Sequence, residues 1–242
     1  GNFIERTPDE NSLPSQPTAF KILYDQKFLY VAIKAYDSIP EQIEQRMSRR
    51  DGFEGDFVEV VFASIGDKRT AYSFTTTAAG VKGDEFITFG DGDESWNPIW
   101  YTASSIEDDG YMVESKIPFS QLKFGDDSEQ TWGLQVNRRI FRADELSVWD
   151  RVPLDVGAPI AEIGTLEGLK NIIPQKQLEI QPFVVAQNDR YPREEGNPFK
   201  TGNDQITKFG LDAKIGVTND LTLDLTINPD FGQVEADPGA IA

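Results

Sequence analysis

Lys27-Phe28-Leu29-Tyr30-Val31-Ala32-Ile33-Lys34-Ala35-Tyr36 is the stretch that decides the fold. Ten residues dense in aromatic and β-branched side chains, closed by Asp37-Ser38, read as a β-strand rather than a helix. The turn residues Asp25-Gln26 separate it from the run Phe20–Tyr24, so the two strands form a hairpin. A second hairpin is expected where Phe57-Val58-Glu59-Val60-Val61-Phe62 and Ala71-Tyr72-Ser73-Phe74-Thr75 flank Gly66-Asp67.

Further strands are expected at Phe86–Thr88, Tyr101–Ser105, Met112–Ile117, Trp132–Phe141, Ser147–Arg151 and Gly164–Leu169. Seven or more short strands at this spacing predict an all-β fold, an antiparallel β-sandwich of jelly-roll or immunoglobulin-like type. Pro118 ends one strand, and Ser120-Gln121-Leu122 then makes a single helical turn. Residues 39–47 are expected as a strand, because Ile43, Gln45 and Met47 alternate. Composition shifts at Asn171–Gln175, which gives a sandwich over 1–172 and a C-terminal part over 173–242.

In that C-terminal part Leu178–Ala186 reads as a strand and residues 187–204, rich in Asn, Gly and Pro, as a long loop. Alternation then becomes strict. Phe209, Leu211, Ala213, Ile215 and Val217 alternate with Gly210, Asp212, Lys214 and Gly216; Thr218-Asn219-Asp220 turns the chain into Leu221, Leu223, Leu225 and Ile227. The result is a hairpin with one apolar and one charged face. It suits a sheet covering the sandwich, and equally the first strands of an outer-membrane barrel.

Composition narrows the chemistry. With 41 Asp and Glu against 23 Lys and Arg, the net charge of -18 repels nucleic acid and anionic bilayers. The chain has no Cys and no His, which excludes disulfides, thiol nucleophiles, His-based triads and Cys/His zinc sites. Any metal would be an oxygen-bound hard cation such as calcium. No run of 18 apolar residues exists, and Gly1-Asn2-Phe3 is no signal peptide, so a trimmed piece of a longer chain is expected.

Four stretches stand in a telling order: Leu29–Ile33 ending in Asp37; Gly55–Phe62; Phe74–Gly80; and Gly110–Leu122 followed by Trp132–Arg138. Together they resemble the family 9 carbohydrate-binding modules, over residues 18–170. The resemblance implies a non-catalytic β-sandwich that binds sugar, often with calcium, outside the cytoplasm. With Trp96–Trp100, Arg138-Arg139 and the ending Asn228–Asp237, the chain is similar to large outer-membrane proteins that carry this module ahead of a β-barrel. This implies the outer membrane, periplasm or cell surface as location. The family's usual opening strand with its Trp is not found before Phe3, so that edge strand is expected to be missing.

Sugars stack on aromatic rings while fixed polar groups meet their hydroxyls. The candidate carbohydrate-binding residues are Trp96, Asn97, Trp100, Arg49, Arg50, Arg138 and Trp149, and the candidate calcium ligands are Asp91, Asp93 and Glu94. Trp96 and Trp100 also suit the core, Trp132 suits it better still, and the arginines suit ion pairs with nearby acids. Strand alternation sends Arg138 and Arg139 to opposite faces. Two rival functions remain: a docking domain that serves a membrane barrel without binding sugar, and a glycosidase built on two carboxylates.

Overall fold

A computed structural model describes residues 3–154, 156–174, 178–193, 195–197, 202–217 and 222–229. The chain forms two compact units, residues 1–175 and 176–242.

The first unit is built from twelve strands: β1 (Ile4–Thr7), β2 (Thr18–Tyr24), β3 (Phe28–Tyr36), β4 (Phe57–Ala63), β5 (Thr70–Thr77), β6 (Lys82–Thr88), β7 (Asp91–Asp93), β8 (Tyr101–Glu107), β9 (Gly110–Pro118), β10 (Glu129–Ile140), β11 (Glu145–Val148) and β12 (Gly164–Lys170). They make a four-stranded sheet, β2-β3-β9-β8, and an eight-stranded sheet, β1-β11-β10-β4-β5-β6-β7, with β12 also on β10. All pairings are antiparallel, as expected for a sandwich. Long β10 carries two partners on one edge, β12 along Glu129–Leu134 and β11 along Asn137–Ile140, and β4 on the other.

Alternation explains the core. Leu29, Val31, Ile33 and Ala35 of β3 are buried, and they face Val58, Val60 and Phe62 of β4, Tyr72 and Phe74 of β5, and Leu134 and Val136 of β10. Trp132 is 1% exposed, ringed by Phe62, Phe119 and Phe124. Both predicted hairpins form. In the first, the Asp25 carboxylate accepts the Lys27 and Phe28 amides at 2.7 and 2.8 Å. In the second, Asp67 accepts those of Arg69 and Thr70, both at 2.9 Å. The helical turn after Pro118 is a short 3-10 turn, Phe119–Gln121.

Two expectations are corrected. Residues 39–47 are not a strand: Pro40 fixes the first position of a 3-10 turn, Pro40–Gln42, and only Gln45 makes an isolated bridge, to Gly55. Strand β1 begins at Ile4, after the place where the family's opening strand is expected, and pairs with β11. The long loop at 187–204 is much shorter, because β13 (Leu178–Arg190) and β14 (Asn203–Gly216) stay paired out to Arg190 and Asn203 despite their polar residues.

The second unit is a three-stranded antiparallel sheet of β13, β14 and β15 (Thr222–Ile227). Its register puts Leu178, Ile180 and Val184 beside Ile215, Ala213 and Phe209, and Leu211, Ala213 and Ile215 beside Ile227, Leu225 and Leu223. One face is therefore apolar across all three strands. The turn expected at Thr218–Asp220 and the chain from Asp230 onward lie outside the described residues.

Candidate functional site

The sandwich core uses only one face of the eight-stranded sheet. On the other face the register aligns Gln135 and Asn137 of β10, Glu59 and Val61 of β4, Ser73 and Thr75 of β5, and Gly83 and Glu85 of β6. This polar band lies between two walls. One is a small apolar cluster in which Ile160 and Ile163 cover Val61, Ala63, Ala71 and Ile87. The other is aromatic: Phe53 lies over Gly83, where any Cβ would run into its ring, and Phe57 stands 5.6 Å from it. The face is thus a trough with a polar floor.

The floor is organised around Glu59. Its carboxylate accepts the Ser73 hydroxyl at 2.5 Å and the Asn137 side-chain amide at 2.7 Å. Asn137 Oδ1 is buried without a hydrogen-bond partner among the described residues. Glu85 sits across β5, over Gly92, whose missing Cβ leaves room for its carboxylate. Burial and the nearby carboxylates of Glu59, Glu94 and Asp51 raise the Glu85 pKa. Gln135 is committed elsewhere, bonding the Asp150 carbonyl and amide and so fixing the chain after β11.

A strap carries the aromatic wall. Residues 48–53 cross β6 with the Asp51 amide donating to the Lys82 carbonyl at 3.1 Å, and the Asp84 amide donating to the Asp51 carboxylate at 3.0 Å. Arg50 holds the fully buried Asp84 carboxylate through Nε and Nη2, and donates to the Pro98 carbonyl at 3.2 Å. Arg50→Ala is accordingly expected to weaken ligand binding about fivefold, by releasing the Phe53 strap, with Arg50→Lys recovering part of it. Calorimetric titration of both variants checks this; an unchanged affinity in Arg50→Ala would show the strap is held without its latch.

The predicted site residues fall in several places. Trp100 is 1% exposed and Trp96 half-buried, and their rings pack on Phe74, with Trp96 also against Tyr72 and Phe86. Both plug the core edge, while Asn97 is exposed beside them. Arg49 is exposed on the strap. Trp149 packs edge-on against Phe20 at 5.3 Å. Arg138 is fully buried and points into the sandwich, donating to the Pro17 carbonyl at 2.8 Å and lying 3.7 Å from Asp37. Arg139 faces outward, paired with Asp144, so the opposite orientation of the two arginines is seen. Trp96 and Trp100 lie on the core side of the sheet, away from the trough, and Arg50 reaches their loop through the Pro98 carbonyl.

Asp91, Asp93 and Glu94 are exposed on and after β7, where Asp93 accepts the Ser95 amide at 2.9 Å. Among the described residues no three acidic side chains gather to hold a metal ion. This donor set does not fit calcium.

The residues that do line the trough were within reach of alternation. Glu59 is the charged residue opposed to Val58, Val60 and Phe62, and Asn137 opposes Val136 and Arg138, so both point away from the core. Phe53 carries no such signal, because its placement depends on the strap.

The family model described as carbohydrate family 9 binding domain-like matches residues 5–145, and one described as a domain of unknown function (DUF5916) matches residues 174–241. No curated protein matches. Among solved structures, a Bacteroides uniformis protein described as carbohydrate-binding is similar at a TM-score of 0.52 with 16% identity, covering 69% of this chain and 85% of that one. A family 9 carbohydrate-binding module of Caldicellulosiruptor kristjanssonii, solved with glucose and with cellotriose, gives 0.49 with 17% identity, covering 68% and 83%.

Proposed function

We propose, from the premise that the chain belongs to the carbohydrate family 9 binding domain-like family, that its trough binds an oligosaccharide without cleaving it. The observation that carries this reading is the join of Glu59, Ser73 and Asn137 on one floor beside the Phe53 and Phe57 rings. Sugar C–H faces stack on such rings, and hydroxyl protons meet such acceptors. The reading also accounts for the polar band, which packing does not require. Calorimetric titration of the purified protein with a panel of neutral oligosaccharides tests it. Saturable binding that Asn137→Ala weakens about tenfold, with no new reducing ends released, is the expected result. Absence of any ligand across the panel would favour the docking domain, and release of new ends would favour a hydrolase.

A second observation supports an envelope setting with a barrel partner. Leu178, Ile180, Val184, Phe209, Leu223, Leu225 and Ile227 are all exposed on one face of the three-stranded sheet. The opposite face carries Glu179, Gln181, Asp212, Lys214 and Asp224. Strands of 13 and 14 residues exceed the roughly 9–11 needed to cross a bilayer at a tilt. This supports assigning the sheet to a barrel wall with its apolar face toward lipid, which ties the sandwich to the outer membrane. Phe209→Asp is expected to cut association with phosphatidylcholine vesicles about tenfold, whereas Asp212→Asn leaves it unchanged. Flotation assays check this, and equal association of both variants would remove the lipid assignment.

A further inference from the structure

Four polar atoms without a hydrogen-bond partner among the described residues gather at one end of the sandwich: Asp56 Oδ2, the Tyr111 hydroxyl, and Arg138 Nε and Nη2. Register explains the gathering. Arg138 of β10 lies opposite Val58 of β4, and Asp56 stands two residues before Val58 on the same core side, whereas Tyr111 of β9 comes from the facing sheet, opposite Ala35 of β3. The Arg138 guanidinium carbon is 5.9 Å from the centre of the Tyr111 ring, and all three residues are 0% exposed. The remaining atoms of the two charged groups are engaged: Asp56 Oδ1 accepts the Phe141 amide at 2.8 Å, and Arg138 Nη1 donates to the Pro17 carbonyl at 2.8 Å. Asp37, at 3.7 Å from Arg138 Nη2, attracts it without a hydrogen bond.

What faces the point between these groups is one guanidinium edge with two parallel N–H donors, one carboxylate oxygen that only accepts, and one hydroxyl. Folded proteins rarely leave so many buried groups unmet. We infer that this end of the sandwich holds one ordered water, which accepts from Arg138 Nε and Nη2 and donates to Asp56 Oδ2 and the Tyr111 oxygen. Two lone pairs and two protons match the four atoms one for one, within the two to four partners that a buried water takes. An ion matches less well. Asp37 and Asp56 stand against Arg138 and Arg142 here, and Glu145, which also acts on Arg142, is bound by the Ser147 hydroxyl and the Ser15 amide. An anion would meet the two aspartates and a cation the two guanidinium groups, whereas a neutral molecule meets balanced charge. Burial raises the Tyr111 pKa, so its hydroxyl keeps its proton. The water joins the two sheets, because Arg138 belongs to the larger and Tyr111 to the smaller.

Crystal structures of the whole chain and of Tyr111→Phe, with melting curves of both, test this. In the unchanged chain a solvent oxygen is expected within about 3.2 Å of Asp56 Oδ2, the Tyr111 hydroxyl and the Arg138 edge. Tyr111→Phe should lower the melting temperature by about 3 °C, because it deletes a hydroxyl whose hydrogen bond is made. A hydroxyl with no partner would behave oppositely, its removal leaving the melting temperature unchanged or raising it. The inference is overturned if Arg138 and Asp56 meet directly with no solvent between them, if anomalous scattering shows chloride at the point, or if Tyr111→Phe melts no lower than the unchanged chain.

Discussion

Asp37→Ala is expected to destabilise the sandwich by about 3–5 kcal/mol, lowering its melting temperature by roughly 10 °C or more. The Asp37 side chain is fully buried and accepts both Arg142 nitrogens at 2.9 Å, with Arg138 Nη2 at 3.7 Å. It also accepts the Ile39 amide at 2.9 Å. Removing it strips Arg138, which is 0% exposed over the face of Tyr111, of its ion-pair partner and leaves the Asp56 carboxylate, beyond ion-pair distance, to offset its charge. A buried charge stripped of its partner is penalised far more than the intact pair is rewarded. Arg142→Ala, which removes a partner that is 25% exposed, is expected to cost only about 1 kcal/mol. Calorimetric melting of both variants checks the difference; equal shifts would mean that Arg138 finds solvent or another acid.

The largest effect on binding is expected from Glu59→Ala, a fall in oligosaccharide affinity of about 30-fold, equivalent to roughly 2 kcal/mol. Glu59 is the group that aims Ser73 and Asn137, so its loss removes one acceptor and frees two neighbours to turn. Stability should change little, since the half-buried Glu59 also repels Glu85. Titration calorimetry with a neutral trisaccharide, beside a melting curve, separates the two effects. Retained affinity in Glu59→Ala would place the ligand elsewhere than this trough.

Much of the fold was legible because strands of period two print their burial on the chain. The run 27–36 and the pair 57–62 and 71–75 set both faces of both sheets, and the turn acids Asp25 and Asp67 bond the backbone as their residue type predicts. The site was less legible for a physical reason. Aromatic and cationic side chains attract attention as ligand contacts, but Trp96, Trp100 and Arg138 are large groups that a sandwich also needs to fill its edges and neutralise its acids. The floor of the trough uses ordinary residues, and only the cross-strand register brings Glu59, Ser73, Glu85 and Asn137 together. Sequence shows which way each one points, not which ones are neighbours. Polar stretches misled in the other direction: residues 187–190 and 203–204 pair although they read as loop, because backbone hydrogen bonding between long antiparallel strands does not depend on hydrophobicity.

Strand β10 has a consequence for how the molecule would register an occupied site. Val136 and Arg138 belong to the core, Gln135 and Asn137 to the trough, and the same twelve residues tie β4 to β11 and β12. Amide protons along this strand can open to solvent only when several strands part together. A sugar seated on Asn137 should therefore slow deuterium uptake across β10 and into its neighbours on both edges, far beyond the residues it touches. Ligand occupancy would be written in the exchange clock of the whole sheet.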